Sequence, residues 1–375
     1  MDKTQRKIER TRCALAHRES DRVPIGESFW TGTLERFRKK WGPDFDPYRF
    51  FDLDYISIIP NLDPCIRQFE IVKQDGEDIV VKTGFGATIR RSGTAPMPHF
   101  ESFSVKQPEE MADFCFDDPS DRRRFFQGGD DQINCVGDTL LRDIPSWDDR
   151  LQAYVDDLAL FGAVCEPYEY VWRIIGTENA MLWMAAEPDL FAHFVNRVGE
   201  FNLALCEAQI REGNGRLTGM YIYGDVAYRR GMLFGAPRWR ELFKPHVKAR
   251  IDLCHEHRLV VIYHGCGNAS DIFEDMVEIS LDCYNPLEAK ADLDVVELKK
   301  SYSGRLAFCG NVDVRVLERG NPDEIRAEVL YKLRAGKGGG WIFQSDHSIS
   351  SSVSPESYEL AMNTLRAYGE YPLQV

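Results

Sequence analysis

The sequence predicts an α/β fold of the TIM (β/α)8 barrel type, and three observations predict it. Eight short apolar runs recur along the chain, separated by segments whose apolar positions fall at helical spacing. Several of those runs, such as Leu53-Asp-Tyr-Ile-Ser-Ile-Ile-Pro60, are nearly continuous in apolar residues, as strands covered on both faces should be. Third, the exits of the later runs carry carboxylates, imidazoles and a thiol, the placement expected where loops at the carboxyl ends of barrel strands share one mouth.

In chain order, residues 3–17 read as a charged leading helix and 22–28 as the first strand, with Phe29 and Trp30 at its exit. The second strand is 53–60. The texture then changes. Residues 68–83 alternate apolar and polar around Asp75-Gly76, a hairpin signal, so 66–100 is expected to form an antiparallel hairpin insertion after the second strand. Helical segments are predicted within 108–124 and over 145–157, then a third strand over 160–166 followed by Tyr168, Tyr170 and Trp172. Helices over 176–187 and 188–212, the second opened by Pro188-Asp189, precede the fourth strand, 217–224. A helix over 237–257 leads to the fifth strand, 259–264. The sixth, seventh and eighth strands are 281–285, 305–310 and 340–345. Helices near 269–278, 293–302 and 321–334 lie between them, and one over 355–368 closes the chain. A single barrel domain over residues 1–375 is expected, its insertion and extra helices accounting for length beyond the usual roughly 250 residues of such a fold.

Composition excludes several function classes. A net charge of −14 opposes binding to nucleic acid, whose phosphates would be repelled. No apolar run approaches the roughly 20 residues that cross a bilayer, and the charged N-terminus lacks the apolar stretch of a secretory signal. A cytoplasmic protein is expected, with neither nucleic acid nor membrane as a partner; a homodimer is compatible with the chain. The 10 cysteines are scattered without a CxxC pair, which suits buried, reduced thiols.

One cysteine has more telling neighbours. Leu259-Val-Val-Ile-Tyr-His-Gly-Cys-Gly-Asn268 is a strand running into a glycine-rich loop, so that His264 and Cys266 can face one point in space. Zinc accepts both ligand types. Further candidates stand at the other exits: Asp225 after the fourth strand, Asn285-Pro-Leu-Glu288 after the sixth, Asn311-Val-Asp313 after the seventh and Ser345-Asp-His-Ser348 after the eighth. Any one of these is ordinarily a polar residue in a solvated loop. Together they would converge on one mouth. Aromatic residues at other exits, among them Trp30, Tyr168 and Tyr223, either pack under the insertion or line an apolar pocket for a small molecule.

Over about 215–370 the chain resembles the uroporphyrinogen decarboxylase superfamily, which shares a barrel fold with cobalamin-independent methionine synthase. The likeness rests on Gly224-Asp225, His264-Gly-Cys266-Gly-Asn268, Asn285-Pro-Leu-Glu288, Gly310-Asn-Val-Asp313 and Ser345-Asp-His347. The resemblance implies that the His-x-Cys loop is the zinc site of corrinoid-dependent methyltransferases, which activate a thiol as methyl acceptor. In the related synthases a glutamate about 22 residues past the cysteine and a cysteine near the last strand complete the site. Glu288 keeps that first spacing, whereas Asp346-His347 stands where the second cysteine is expected. Either can bind zinc, His better than Asp, with Cys309 as a fallback inside the seventh strand.

The same resemblance implies an arginine-bearing N-terminal loop in true porphyrinogen decarboxylases. Here the matching stretch, Pro24-Ile-Gly-Glu-Ser-Phe-Trp30, is acidic and aromatic, and the family's catalytic aspartate falls on Asn61, with Asp63 out of register. A polyanionic substrate should bind poorly without its arginine clamp. The expectation is therefore a zinc-dependent methyltransferase with His264, Cys266, Glu288 and His347 (or Asp346) as ligands. Asp225, Asp346 and His347 are its candidate catalytic residues, and Trp30, Tyr168, Tyr223 and Asn285 face a small-molecule substrate. A corrinoid carried by a partner protein is the expected methyl donor. Two alternatives stand beside it: a metal-free decarboxylase or lyase acting on a small organic acid, and a non-catalytic binding barrel.

Overall fold

The computed structural model describes residues 2–66, 70–76, 78–91, 98–128, 132–133, 140–141 and 145–375. Seven parallel strands form one sheet in chain order: Tyr55–Ser57, Ala159–Cys165, Leu217–Tyr223, Val260–His264, Cys283–Asn285, Ala307–Cys309 and Trp341–Ile342. The segment around Ile25 reaches both edges of that sheet. Ile25 forms a parallel bridge with Phe343, and Asp54 N donates to Ile25 O at 2.8 Å. The sheet thus curls as in a TIM-like barrel, within an α/β fold.

Alternation along the strands explains the packing. One set of side chains, including Tyr55, Ala159, Phe161, Ile262, Cys283, Ala307, Cys309 and Ile342, forms a cluster of its own. The other set joins the large core shared with the surrounding helices. Both faces are covered, which is why the strands read as continuous apolar runs.

The helices follow their capping signals. Asp2 caps Lys3–Leu15, its side chain accepting from Gln5 N, and Pro188–Gly213 ends at Asn214 in the left-handed conformation. The helix expected over 237–257 is two, Ala236–Leu242 and Lys244–Glu256, parted at Phe243, with Pro245 in the first turn of the second. The helical segment expected within 108–124 reduces to one turn, Pro108–Met111, followed by the short helix Arg123–Phe126. Among the described residues four helices were not predicted, Thr31–Trp41, Pro47–Phe50, Pro167–Ile175 and Val314–Arg319. Between the first two parallel strands, Glu70–Asp75, Asp78–Lys82, Ala87–Arg91 and His99–Phe103 make a four-stranded antiparallel sheet. Positions 67–69, 77 and 92–97 of the expected insertion lie outside the described residues. No helix of the described residues is long and apolar enough to cross a membrane.

Candidate metal centre

His264 ends the Val260–His264 strand, and the chain turns sharply after it. Gly267 has φ +79°, and a Cβ there would meet the Tyr228 backbone at 2.6 Å, so only glycine lets the loop lie against its neighbour. Asn268 N donates to Tyr228 O at 3.0 Å and fixes that contact.

Sheet register sets the imidazole. His264 stands opposite Asn285 on the adjoining strand, with its Nδ1 2.6 Å from Asn285 Oδ1. The amide cannot be turned the other way without loss, because Asn285 Nδ2 donates to Cys309 O at 3.1 Å and to Gln344 Oε1 at 3.2 Å. Asn285 Oδ1 also accepts from the Tyr221 hydroxyl. Nδ1 of a neutral His264 therefore carries the proton, and Nε2 keeps its lone pair. That nitrogen lies 3.6 Å from Cys266 Sγ.

Carboxylates flank the thiol. Asp225 Oδ1 accepts from Cys266 N at 2.9 Å. Glu288 Oε2 accepts from Gly267 N at 3.0 Å, while its Oε1 lies 2.9 Å from Lys290 Nζ. Enclosure, then the charges of Asp225 and Glu288, push the Cys266 thiol well above its ordinary range. His347 stands edge-on to Trp30 at 5.9 Å, and burial followed by the Lys290 charge lowers its pKa, which favours a neutral, ligating imidazole.

Two groups of ligand atoms result, each with members within 4.8 Å of one another: Asp225, His264 and Cys266 in one, Cys266, Glu288 and His347 in the other. The four predicted ligands are thus split between two overlapping triads that share the Cys266 sulfur. Asp225, expected as a catalytic residue and not as a ligand, stands in one of them. The donor set of imidazole, thiol and carboxylate suits zinc, and zinc bond lengths of about 2.0–2.3 Å imply ligand separations of roughly 3.3–3.8 Å, which brackets the His264–Cys266 distance. On that observation the residues fit the ion.

Other predicted residues are placed differently. Both oxygens of Asp346 are taken by backbone amides, Oδ2 by Ala289 N and Oδ1 by Val314 N, each at 2.9 Å. It ties the loops after the sixth and seventh strands together instead of facing the triads. Burial raises its carboxyl to about 6. Tyr168 is enclosed by Phe234 and Phe243, with ring centroids at 4.6 and 5.7 Å, because it lies in the unpredicted Pro167–Ile175 helix. Tyr223 accepts from Cys165 Sγ at 3.1 Å. Asn285 is fully buried against His264. Cys309 is buried too, donating to Gln344 Oε1 at 2.9 Å, with its thiol pushed up to about 12 by burial. Asn61 Oδ1 accepts from Asp63 N, a local turn contact. Sequence reasoning missed Tyr221, Gln344 and Lys290; the cation two residues past Glu288 was the one legible signal.

Comparison with known proteins gives a family. Residues 149–368 match the model described as uroporphyrinogen decarboxylase (URO-D). No curated protein matches the chain. Among solved structures, a methyltransferase from Methanosarcina mazei has a TM-score of 0.66 at 15% identity, covering 96% of this chain and 98% of its own. At that identity the likeness is one of fold. Fainter resemblance extends to a putative vitamin-B12-independent methionine synthase from Listeria monocytogenes, with a TM-score of 0.42, 11% identity and coverage of 93% and 96%. A B12-independent methionine synthase from a Shewanella species, in complex with selenomethionine, gives 0.43, 9%, 94% and 96%.

Proposed function

The chain belongs to the uroporphyrinogen decarboxylase (URO-D) family, and on that premise we propose that it is a zinc-dependent methyltransferase. It moves a methyl group between a corrinoid or methylated small molecule and a thiol or corrinoid acceptor. The observation that carries this proposal is the His264 Nε2 lone pair, left free by Asn285 and lying 3.6 Å from Cys266 Sγ. The shared fold of a protein named a methyltransferase supports the same chemistry at the same mouth.

His264, Cys266 and Glu288 hold the ion in this proposal, and His347 completes the set. When bound, zinc lowers the pKa of a coordinated thiol, so that the acceptor reacts as a thiolate. The protein's own residues prepare the place. Asn285 and Tyr221 hold the imidazole in one tautomer. Asp225 anchors the Cys266 amide and is offered to a polar group of the substrate. Lys290 offsets the charge of Glu288. Trp30 borders the substrate, and residues 1–375 act as one domain. Where the methyl donor is a corrinoid, a partner protein presents it. Porphyrinogen decarboxylation is disfavoured, since Glu27 is a buried carboxyl engaged with Ser345 and Ser28 where an anion clamp is needed.

The test is methyl transfer from methylcobalamin to 2-mercaptoethanol, followed by the cobalamin spectrum. Zinc-loaded protein is expected to turn over and His264→Ala to lose that activity. A zinc-loaded wild type with no turnover counts against the proposal.

A further inference from the structure

Outside the mouth, a second polar cluster lies between the end of the Ala159–Cys165 strand and the Lys244–Glu256 helix. Glu166, Tyr168, Arg250 and Tyr263 are each 1% exposed or less. Each carries an atom with no hydrogen-bond partner in the protein: Glu166 Oε1, Arg250 Nη2, and the hydroxyls of Tyr168 and Tyr263. The four are neighbours. Arg250 Nη1 donates to Cys165 O at 2.8 Å, the carbonyl just before Glu166, and Arg250 Nε donates to His246 O at 3.1 Å. The guanidinium is thereby pinned beside the carboxylate. The charge of Glu166 also acts on Tyr168 and Tyr263.

Despite that proximity, Glu166 Oε1 and Arg250 Nη2 make no hydrogen bond to each other. Buried polar groups are almost always paired, and a marginally stable fold does not leave four unmatched at one place. Their chemistry identifies what matches them. Guanidinium N–H only donates, a carboxylate oxygen only accepts, and hydroxyls do both. Burial raises the Glu166 carboxyl to about 8, so it can carry a proton and donate as well as accept. The matching ligand is small and both donates and accepts. We infer that a small cluster of ordered water bridges Arg250 Nη2 to Glu166 Oε1 and hydrogen-bonds the hydroxyls of Tyr168 and Tyr263.

The cluster backs the loop that carries Asp225. Glu166 N donates to Tyr223 O at 2.6 Å, and a Cβ at Gly224 would meet the Cβ atoms of Glu166 and Glu169 at 2.7 Å. Glu169 Oε2 accepts from Asp225 N at 3.4 Å. The hydrated Glu166–Arg250 pair therefore stiffens the floor beneath the Asp225–Cys266 contact.

Two measurements test the inference on the full chain. In a high-resolution crystal structure, water is expected within hydrogen-bonding distance of both Glu166 Oε1 and Arg250 Nη2. In thermal unfolding, Tyr263→Phe is expected to lower Tm by about 1–2 °C, because a water-bonded hydroxyl is lost. Removing an unmatched hydroxyl has the opposite sign. A direct Glu166–Arg250 ion pair with no water between, or a Tm raised by Tyr263→Phe, overturns the inference. Tyr168→Phe is read by the same sign if Tyr263→Phe does not fold.

Discussion

The Nδ1 of His264 lies 2.6 Å from the Oδ1 of Asn285, its partner across two parallel strands, and that contact decides which ring nitrogen faces Cys266. Asn285 is in turn held by Cys309 O and Gln344 Oε1 beneath it. The reactive end of the site is thus oriented from inside the barrel, where side chains are locked by packing. This is the outer support that ligating histidines ordinarily require.

Removing that support should weaken the metal without dismantling the fold. Asn285→Ala is expected to lower zinc affinity by about 10–100-fold, the usual effect of deleting such a partner. Competition against a chromophoric chelator measures it. Unchanged affinity would mean that His264 needs no help from its neighbour.

Lys290 is expected to act in the opposite direction. Its ammonium lies 2.9 Å from Glu288 Oε1 and offsets the carboxylate that the proposed ion would use. Half-exposed, it is partly screened by solvent, so Lys290→Met should tighten zinc only roughly threefold to tenfold. A weakened affinity in the same chelator assay would show that Lys290 supports the ion.

Glu27 gives a pH dependence. Burial, only partly offset by hydrogen bonds from Ser345 and Ser28, raises its carboxyl to about 8. In the unfolded chain the same group titrates near 4.3. Between those values the folded state holds the extra proton, so Glu27 makes stability fall as pH rises from about 5 to 8. Glu27→Gln removes that term. Urea unfolding of both proteins should show the wild type losing stability relative to the variant across this range. A constant difference would place Glu27 in an ordinary, solvated state.

Much of the architecture was legible because strands covered on both faces leave continuous apolar runs. The Val260–His264 strand and its glycine-rich exit are the clearest case. The Pro167–Ile175 helix was missed although its signals were present: Glu166 caps it by accepting from Tyr168 N, and Pro167 follows at the first turn. Tyr168, Tyr170 and Trp172, which follow the strand exit, all lie within that helix. Tyr168 was assigned to a pocket when the helix buries it against Phe234 and Phe243.

Within the site, sequence spacing could bring His264, Cys266 and Glu288 to one rim, but register across strands is not written in spacing. Asn285 and Tyr221 meet His264 only because neighbouring strands align them. Asp346 has the chemistry of a ligand, yet two backbone amides occupy its oxygens. Which loops would need tying together is a property of the assembled mouth.

Zinc content, measured by elemental analysis of purified protein, tests the central claim most directly. The wild type is expected to hold about one zinc per chain and a folded Cys266→Ala variant close to none. A folded wild type that takes up no zinc when the metal is supplied, or a Cys266→Ala variant that retains it in full, would contradict the claim that Cys266 joins the two triads around one ion.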